Sequence, residues 1–407
     1  MKRAQEAMTS REAAEFLGIK LQTLYAYASR GLVKGAPAGG NGRGRRYTRA
    51  DLEGLRARSA GPAAGALRFG EPVLDTRITR MTPNGPEYRG RLAIELARDG
   101  VPFTSVAELL WSGTLPARAE PWPDDGPDLP ARELTRLLPA GSPPLAALAL
   151  VLPALAAADP LRFDAQPDAV RARARRLIPR LAAAFALALD PRRLAPALGC
   201  GDPVRALATA LGVPLRKKPL ALLELALVLC ADHELNASTF AARVAASTGA
   251  DLYACLSAAL AAFSGPLHGT ASEQVEVFAR EAGHPTRAAA AIAGRMRRGE
   301  LLPGFGHPLY PEGDPRAAPL LAAALSLAPR APRVRTIAAI VAAMDEAGRP
   351  KPNVDTALAA ACAALDLPPG MGAAIFAIGR TAGWVAHILE QAETPFVLRP
   401  RARFVEQ

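Results

Sequence analysis

The sequence predicts an all-α protein, and three features of its composition lead to this prediction. Half of the 407 residues are hydrophobic although only 5% are aromatic, and alanine and leucine dominate the apolar set. Both of these residues favour helix, whereas the β-branched residues that favour strands are sparse. The 38 prolines and 34 glycines recur between the apolar runs, where they would separate many helices. A chain of this length has room for two or three domains.

The first 60 residues predict a small basic module. They contain twelve Lys and Arg against five Asp and Glu, so they carry +7 of the total net charge of +11. Thr9 and Glu12 have the spacing of a capping box, which begins a helix that Gly18 ends. A second helix follows and ends at Gly31. Two helices joined by a short glycine turn form a helix-turn-helix pattern.

The segment KGAPAGGNGRGRRYTRADLEGL (34–55) follows the second helix. Its glycine-rich piece is typical of a wing loop, and Thr48 to Asp51 would cap a third helix. The block resembles the winged helix-turn-helix domains of the MerR and excisionase type. The resemblance implies that two groups of side chains meet DNA. The group facing the major groove or the adjacent backbone is Gln22, Thr23, Tyr25, Tyr27 and Arg30, and the group meeting phosphates is Arg43, Arg45 and Arg46. A small module for protein–protein contact is the alternative.

The rest of the chain reads as a linker followed by a helical body. Residues 61–70 are a small-residue linker, and residues 70–80 predict short extended structure. A helix is predicted over 91–98 and a Pro- and Asp-rich loop over 116–130, after which apolar helices alternate with Pro or Gly breaks.

Cysteine usage and hydropathy predict a cytoplasmic protein. The N-terminal residues 1–8 are polar and unlike a signal peptide, and the apolar runs 144–157 and 219–230 are too short or too interrupted to span a bilayer. The cysteines lie far apart in apolar surroundings without metal-ligand spacing, as expected of buried reduced thiols. They are Cys200, Cys230, Cys255 and Cys362.

Four of the five histidines fall between residues 230 and 316. His233, His268 and His307 each lie within a few residues of a Gly, Pro or Asp, which places them at helix ends or in loops. Such groups suit proton transfer and oxyanion stabilisation. Metal binding is not predicted, because no second histidine follows His233 at the spacing that zinc sites use.

Five sequence motifs resemble those of the citrate synthase family, in the order in which the family has them. They are DHELNAST (232–239), GPLHG (265–269), GFGHPLYPEGDPR (304–316), PNVD (352–355) and FAIGRTAGWVAHILEQ (376–391). The segment ITRMTPNGPEYRGRLAIELA (78–97) also resembles the N-terminal part of the family. The resemblance covers roughly residues 68–403, so the basic module lies outside it.

The resemblance implies a helical body of two domains that forms a homodimer. The large domain would comprise residues 71–269 and 367–407, and the small domain residues 270–366, behind the helix-turn-helix module of residues 1–60.

The resemblance also implies a role for each matching residue. Asp355 would be the base, His268 would donate a hydrogen bond to the thioester oxygen, and His307 would polarise and then protonate the carbonyl of the acceptor. The dicarboxylate acceptor would be bound by His233, Arg316, Arg380 and Arg399, with Arg399 lent across the dimer interface and Arg401 as its alternative. Coenzyme A would lie near the backbone of Leu302, Pro303, Gly304, Phe305 and Gly306.

The implied function is a transferase of the tricarboxylic acid cycle that condenses acetyl-CoA with oxaloacetate to give citrate. No cofactor is expected, since the coenzyme A thioester is a substrate. Two alternatives stay open: a 2-methylcitrate synthase that uses propionyl-CoA, and a DNA-binding regulator whose body senses a metabolite. Thr270 and Pro308 depart from the usual residues of the family motifs and leave the acyl preference open.

Overall fold

The computed structural model describes most of the chain. The described residues are 7–17, 21–29, 33, 35–37, 45–48, 52, 74–123, 125, 129–139, 141–394 and 396–400. The chain divides into two compact units, Met1–Asp75 and Thr76–Gln407. The finer division of the second unit into a large and a small domain stays a prediction.

The first unit combines two helices with a small antiparallel sheet. The helices are α1 (Ser10–Leu17) and α2 (Leu21–Ser29). The strands are β1 (Ala7–Thr9), β2 (Gly35–Pro37) and β3 (Arg45–Thr48), in the order β1-β3-β2. Its described core consists of Ala13, Ala14, Leu24, Val33, Tyr47 and Leu52.

Two predicted features of this unit are present. The backbone N–H of Thr9 donates to Glu12 Oε2 at 2.8 Å, and the N–H of Glu12 lies 3.4 Å from Thr9 Oγ1, which is the reciprocal pattern of a capping box. Strands β2 and β3, on either side of the predicted wing, pair antiparallel. The predicted third helix lies outside the described residues except for Leu52, which is helical.

The second unit begins with a three-stranded antiparallel sheet. Its strands are β4 (Thr79–Thr82), β5 (Gly85–Tyr88) and β6 (Arg91–Leu92), in that order. The predicted helix over 91–98 begins two residues late, because Arg91 and Leu92 pair with Tyr88 and Glu87 of β5 instead.

Helices form the rest of this unit, as the composition predicted. In chain order they are α3 (Ala93–Arg98), α4 (Phe103–Ser112), α5 (Ala131–Leu137), α6 (Pro144–Ala158), α7 (Pro167–Leu189), α8 (Leu194–Leu198), α9 (Pro203–Leu211), α10 (Lys217–Cys230), α11 (Ala237–Ser247), α12 (Leu252–Phe263), α13 (Ala271–Ala282), α14 (Ala288–Arg297), α15 (Ala317–Leu327), α16 (Pro332–Glu346), α17 (Val354–Ala364) and α18 (Met371–Ala392). Two single 3-10 turns, Pro191–Arg193 and Pro285–Arg287, precede α8 and α14.

Helix α18 is the centre of the core. It packs against eight other helices, which are α4, α6, α7, α10, α11, α12, α13 and α17. By length and composition it could cross a membrane, but its most apolar 18-residue window is 100% buried inside the protein. We therefore identify α18 as a core helix.

Two glycines let α18 approach the end of α10 closely. A Cβ on Gly379 would lie 2.8 Å from the carbonyl oxygen of Leu227, and a Cβ on Gly383 would collide with the Asp232 carboxylate. The N–H of Gly383 also donates to the carbonyl of Ala231 at 3.0 Å. This approach places the DHELNAST segment beside α18, where the site residues of both meet.

Candidate active site

His268 lies in the loop between α12 and α13, and its neighbours fix the ring. The N–H of His268 donates to Gly265 O at 3.0 Å, and the N–H of Gly269 donates to Phe263 O at 2.9 Å. A Cβ on Gly269 would collide with the Phe263 ring, which meets the His268 ring edge-on at 5.2 Å. Glycine is therefore required next to His268 for this packing.

The imidazole of His268 contacts two polar side chains at the start of α11. Its Nε2 lies 2.8 Å from Ser238 Oγ and 3.1 Å from Asn236 Oδ1. Asn236 is the N-cap of α11, and its Oδ1 accepts the N–H of Thr239. Burial, and then the charge of Arg380, lower the pKa of His268 to about 4. The ring is therefore neutral at physiological pH.

The rings of His233, His307 and Tyr310 pack against one another. The two imidazole centroids are 5.3 Å apart, and the Tyr310 hydroxyl lies 3.3 Å from Nε2 of His233. Burial, followed by the charges of Arg316 and Arg380, lowers the pKa of His233 well below its usual value. Burial, followed by Arg316, also lowers the pKa of His307.

The proton of His307 can be assigned to one nitrogen. The backbone N–H of Leu309 donates to His307 Nδ1 at 3.1 Å, so Nδ1 is an acceptor. A neutral imidazole carries a single proton, which must then be on Nε2. His307 is thus set up to donate a hydrogen bond through Nε2.

Arg316 is buried and holds a bidentate ion pair with Asp314. Its Nε and Nη2 donate to the two carboxylate oxygens at 3.0 and 2.8 Å. Burial raises the pKa of Asp314, but the charge and hydrogen bonds of Arg316 outweigh this and hold it below its usual value. Asp314 Oδ2 also accepts the N–H of Val354 at 3.0 Å, so the DPR motif is tied to the start of α17.

Asp355 stands in the first turn of α17 with a carboxylate that lacks a full set of partners. Asn353 caps this helix by accepting the N–H of Asp355 at 3.0 Å. Within the described residues, Oδ1 of Asp355 is buried without a hydrogen-bond partner. Desolvation raises the pKa of Asp355 to about 7, against the opposing charges of Arg316 and Arg380. A carboxylate with these properties is a stronger base than an exposed aspartate.

The predicted coenzyme A loop is joined to the Asp355 segment by backbone hydrogen bonds. The N–H of Gly306 donates to Lys351 O, and the N–H of Asn353 donates to Gly304 O, each at 2.8 Å. Gly304 has φ +82°, and a Cβ there would also collide with Thr356 Oγ1, so only glycine fits. Backbone hydrogen bonds therefore fix residues 302–306 against the segment that carries Asp355.

Arg380 crosses from α18 into the site with part of its guanidinium unpaired. It is 1% exposed, and its Nε donates to Cys230 O at 3.0 Å. The guanidinium carbon lies 4.8 Å from the centroid of the Phe376 ring. Nη2 is buried without a hydrogen-bond partner among the described residues, and burial lowers the pKa of Arg380. A buried cation with a free donor is suited to an anionic ligand.

The structure therefore brings together six of the residues that the motifs predicted. The charges of Arg316 and Arg380 both affect the pKa values of Asp355 and His233. The charge of Arg380 also affects the pKa of His268. The charge of Arg316 also affects the pKa of His307. Two buried cations thus share a site with three neutral imidazoles and one poorly solvated carboxylate.

The other predicted residues lie elsewhere or outside the described part. Arg399 is exposed, and Arg401 is not described. In the first unit Gln22, Tyr25, Arg45 and Arg46 are exposed and Thr23 is partly buried. The side chain of Tyr27, together with Arg30 and Arg43, lies outside the described residues.

Sequence reasoning missed several residues that support the site. Asn236 and Ser238 were inside a quoted motif, but only its histidine was selected. Asp232 accepts the N–H of Glu234, which has φ +53°, and its Oδ2 lies 3.3 Å from Nε2 of the buried His387. This pair fixes the strained turn that carries His233. The sequence signal for this support was the acidic residue Asp232 directly before His233.

Replacing Asp355 by Asn should stabilise the protein, and the gain should depend on pH. The folded-state pKa of about 7 lies above the usual value of 3.8, so the contribution of this carboxyl group to stability is fully present below about pH 4 and is lost as pH rises through 7. An uncharged Asn avoids this loss, which is worth roughly 2–4 kcal/mol above pH 7. Thermal midpoints should show a larger gain at pH 8.5 than at pH 5. An equal gain at both values would contradict the raised pKa.

Comparisons with known proteins agree with this geometry. Residues 68–401 match the family described as "Citrate synthase, C-terminal domain", and residues 7–59 match "Helix-turn-helix domain". A 2-methylcitrate synthase of Mycobacterium tuberculosis is 32% identical over 358 residues, 82% of this chain and 88% of that protein. A putative citrate synthase 2 of the same species is 44% identical over 185 residues, 44% of this chain and 49% of the relative. The chain thus spans about half the length of the first curated relatives that it matches.

A similar solved structure is a citrate synthase of Thermoplasma acidophilum in a ternary complex with carboxymethyl coenzyme A and oxaloacetate. It has a TM-score of 0.72 and 25% identity, and the match covers 86% of this chain and 96% of that one.

Proposed function

This chain belongs to the citrate synthase family, and we propose that it condenses acetyl-CoA with oxaloacetate to form citrate and free coenzyme A. The observation that carries the proposal is the convergence of buried Arg316 and Arg380 on Asp355 and the histidines. The cations suit a dicarboxylate, and the carboxylate suits the removal of a proton from carbon.

The first step is enolisation of the thioester. Asp355 removes a proton from the methyl group, and the C–H electron pair moves toward the thioester carbonyl, whose oxygen gains negative charge. His268 donates a hydrogen bond to that oxygen. Because both groups are poorly solvated, water competes weakly with them and their interactions are strong.

The acceptor is held by cations and polarised by a histidine. Nη2 of Arg380, which has no hydrogen-bond partner among the described residues, binds one carboxylate of oxaloacetate. Arg316 and His233, which interact electrostatically with Arg380, bind the same acceptor. The ion pair with Asp314 keeps the guanidinium of Arg316 oriented. Nε2–H of His307 donates to the ketone oxygen of oxaloacetate, in keeping with the acceptor role of Nδ1.

Carbon–carbon bond formation completes the condensation. The enol carbon attacks the ketone carbon, the ketone π electrons move to oxygen, and His307 supplies the proton. Water then attacks the thioester carbonyl of the citryl-CoA and displaces the thiol of coenzyme A. The proton transfers and the thioester supply all the chemistry, so the reaction needs no cofactor.

The coenzyme A loop is proposed at residues 302–306, whose backbone is joined to the Asp355 segment. Binding of the nucleotide part there would act directly on the position of the base.

A cytoplasmic location is proposed from the cysteines, which lie far apart in the chain. Cys230, Cys255 and Cys362 are buried as predicted, whereas Cys200 is only partly buried.

2-Methylcitrate synthesis from propionyl-CoA is the second candidate, favoured by the relative of that name that aligns along most of the chain. The test is thiol release with oxaloacetate and each acyl-CoA, with product mass measured. A higher kcat/KM for acetyl-CoA and formation of citrate support the proposal. A preference for propionyl-CoA would assign the chain to the second activity.

We also propose a homodimer in which Arg399 completes the site of the partner. Its exposure in a single chain is what such a role requires. Arg399→Ala should raise the KM for oxaloacetate about tenfold or more, because one guanidinium–carboxylate pair is lost, and leave the KM for acetyl-CoA unchanged. Arg401→Ala is the matched control. If it has the larger effect, the assignment moves to that residue.

The first unit is proposed to bind DNA as a pair of modules in the dimer. Gln22 and Tyr25 on α2 are exposed, and so are Arg45 and Arg46 next to the predicted wing. A regulator that senses a metabolite through its body is the alternative role, and it requires the same DNA contact. Two modules related by a two-fold axis suit a symmetric site.

DNA binding should weaken steeply as salt increases, because phosphate contacts from arginines dominate. Removal of residues 1–60 should abolish DNA binding and leave citrate formation largely unchanged, since the six assembled site residues lie in the second unit. A mobility-shift series between low and physiological salt measures the first effect and thiol release the second. Absence of binding at low salt would make the module a protein-contact domain.

A further inference from the structure

One face of α18 lies along the chain segment that ends in His233. Arg380 and Gly383 on this face donate to two successive backbone carbonyls of the segment, each at 3.0 Å. His387 follows one turn further along the same face, because helix positions three and four apart are neighbours. The face therefore carries one residue, His387, for which the condensation has no role so far.

His387 pairs with Asp232, the residue directly before His233. Oδ2 of Asp232 lies 3.3 Å from Nε2 of His387 and accepts the N–H of Glu234 at 3.1 Å. An ionised carboxylate can only accept hydrogen bonds, so Nε2 of His387 must carry the donated proton. The side chains of both partners are fully buried, which keeps water from replacing this contact.

Asp232 also interacts with the charge of Arg380. Burial raises the pKa of Asp232, but His387 and Arg380 outweigh this and hold it below its usual value. Burial lowers the pKa of Arg380, and the largest opposing contribution comes from Asp232. Asp232 thus connects the turn of His233 with the charge of Arg380, and both of these residues are proposed to bind the acceptor.

We propose that His387 is a positioning residue for the acceptor dicarboxylate and that it acts through Asp232. Its N–H fixes the carboxylate in the orientation that holds the N–H of Glu234 and keeps the negative charge in interaction with Arg380. Glu234 has φ +53°, a conformation that needs such support. Without the donor the carboxylate rotates, the turn relaxes, and His233 leaves its position beside the acceptor.

This inference rests on the proposed function for the identity of the acceptor, and direct binding separates the two. Isothermal titration with oxaloacetate alone measures acceptor affinity without turnover. If the wild-type protein does not bind oxaloacetate, the proposed function fails and the positioning role fails with it. If the wild-type protein binds and the variants of His387 bind equally well, only the positioning role fails.

His387→Asn and His387→Gln form a matched pair of variants. The amide nitrogen of Gln reaches the place of Nε2, whereas that of the shorter Asn reaches only the place of Nδ1. His387→Asn should raise the Kd for oxaloacetate about tenfold or more, the equivalent of one hydrogen bond to a charged group, and His387→Gln should stay within about threefold of the wild type. The KM for acetyl-CoA should change little in either variant.

A purely structural role for His387 makes a different prediction. Both variants replace a buried ring by a smaller amide, so both should lower the thermal midpoint, and a structural role alone would weaken oxaloacetate binding equally in both. In an Asp232→Asn background, His387→Asn should have little further effect on the Kd, because the charge on which His387 acts is gone. If His387→Asn does not fold, Asp232→Asn replaces it as the weakened variant in the comparison with His387→Gln.

Trp111→Phe is the control for the loss of a buried hydrogen bond to α18. The indole N–H of Trp111 donates at 2.9 Å to the carbonyl oxygen of Ala382, which lies outside the face that carries His387. This variant should lower the thermal midpoint and leave the Kd for oxaloacetate unchanged. The proposal is overturned if His387→Gln weakens oxaloacetate binding as much as the weakened variant does, or if neither of them weakens it.

Discussion

Replacing Asp355 with alanine should lower kcat for citrate formation by about 10²–10⁴-fold, the usual contribution of a positioned acid–base group. Oδ1 of this carboxylate is buried without a hydrogen-bond partner in the described structure, and desolvation raises the pKa of Asp355 to about 7. The alanine variant lacks the group that is proposed to take the proton.

The protein should stay folded, because the backbone N–H of Asp355, and not its side chain, makes the capping contact with Asn353. Circular dichroism and an unchanged KM for oxaloacetate would establish this. Glu346→Ala, an exposed carboxylate at the end of α16, is the control and should keep the wild-type rate. Near-normal citrate formation by Asp355→Ala would show that the base is another residue.

Replacing Arg380 with alanine should raise the KM for oxaloacetate by about 10²–10³-fold. The substrate carboxylate would be left buried without its cation, and breaking one side of a buried ion pair costs about 3–5 kcal/mol. Arg380→Lys should restore only part of the lost affinity for oxaloacetate. The guanidinium donates to Cys230 O through Nε and keeps Nη2 available for the ligand, and an ammonium group cannot make both contacts in this geometry.

The KM for acetyl-CoA should change little, which separates loss of a carboxylate contact from general damage. Arg173→Lys offers a control for the loss of a buried guanidinium, since Arg173 pairs with Asp159 in another part of the unit. It should lower stability and leave the KM for oxaloacetate near its wild-type value. An unchanged KM in Arg380→Ala would remove Arg380 from the acceptor site.

The sequence predicted the positions of the main chemical groups because each lies in a short motif with its own turn signal. The Gly and Pro residues near His268 predicted a helix end or a loop, and His268 lies in the loop between α12 and α13. The all-α class followed from composition, and the capping box at Thr9 from local spacing.

The supporting contacts could not be predicted in the same way, because they join residues far apart in the chain. Trp384 reaches Ser238 across 146 positions, and His387 reaches Asp232 across 155. The ion pair between Arg316 and Asp314 joins residues only two positions apart, so distance along the chain did not hide it. It was not predicted because Arg316 was assigned to substrate binding alone. The sheet at residues 79–92 was partly read as helix, because pairing between strands overrides local preference.

The most direct test of the proposed mechanism is thiol release by the full chain and by Asp355→Asn, each with acetyl-CoA in the presence and absence of oxaloacetate. We expect the wild-type protein to release coenzyme A only when oxaloacetate is present. Asp355→Asn, folded and more stable at pH 8.5, should release it at least about a hundredfold more slowly. Thiol release by the variant at the wild-type rate, or no oxaloacetate-dependent release by the wild type, would contradict it.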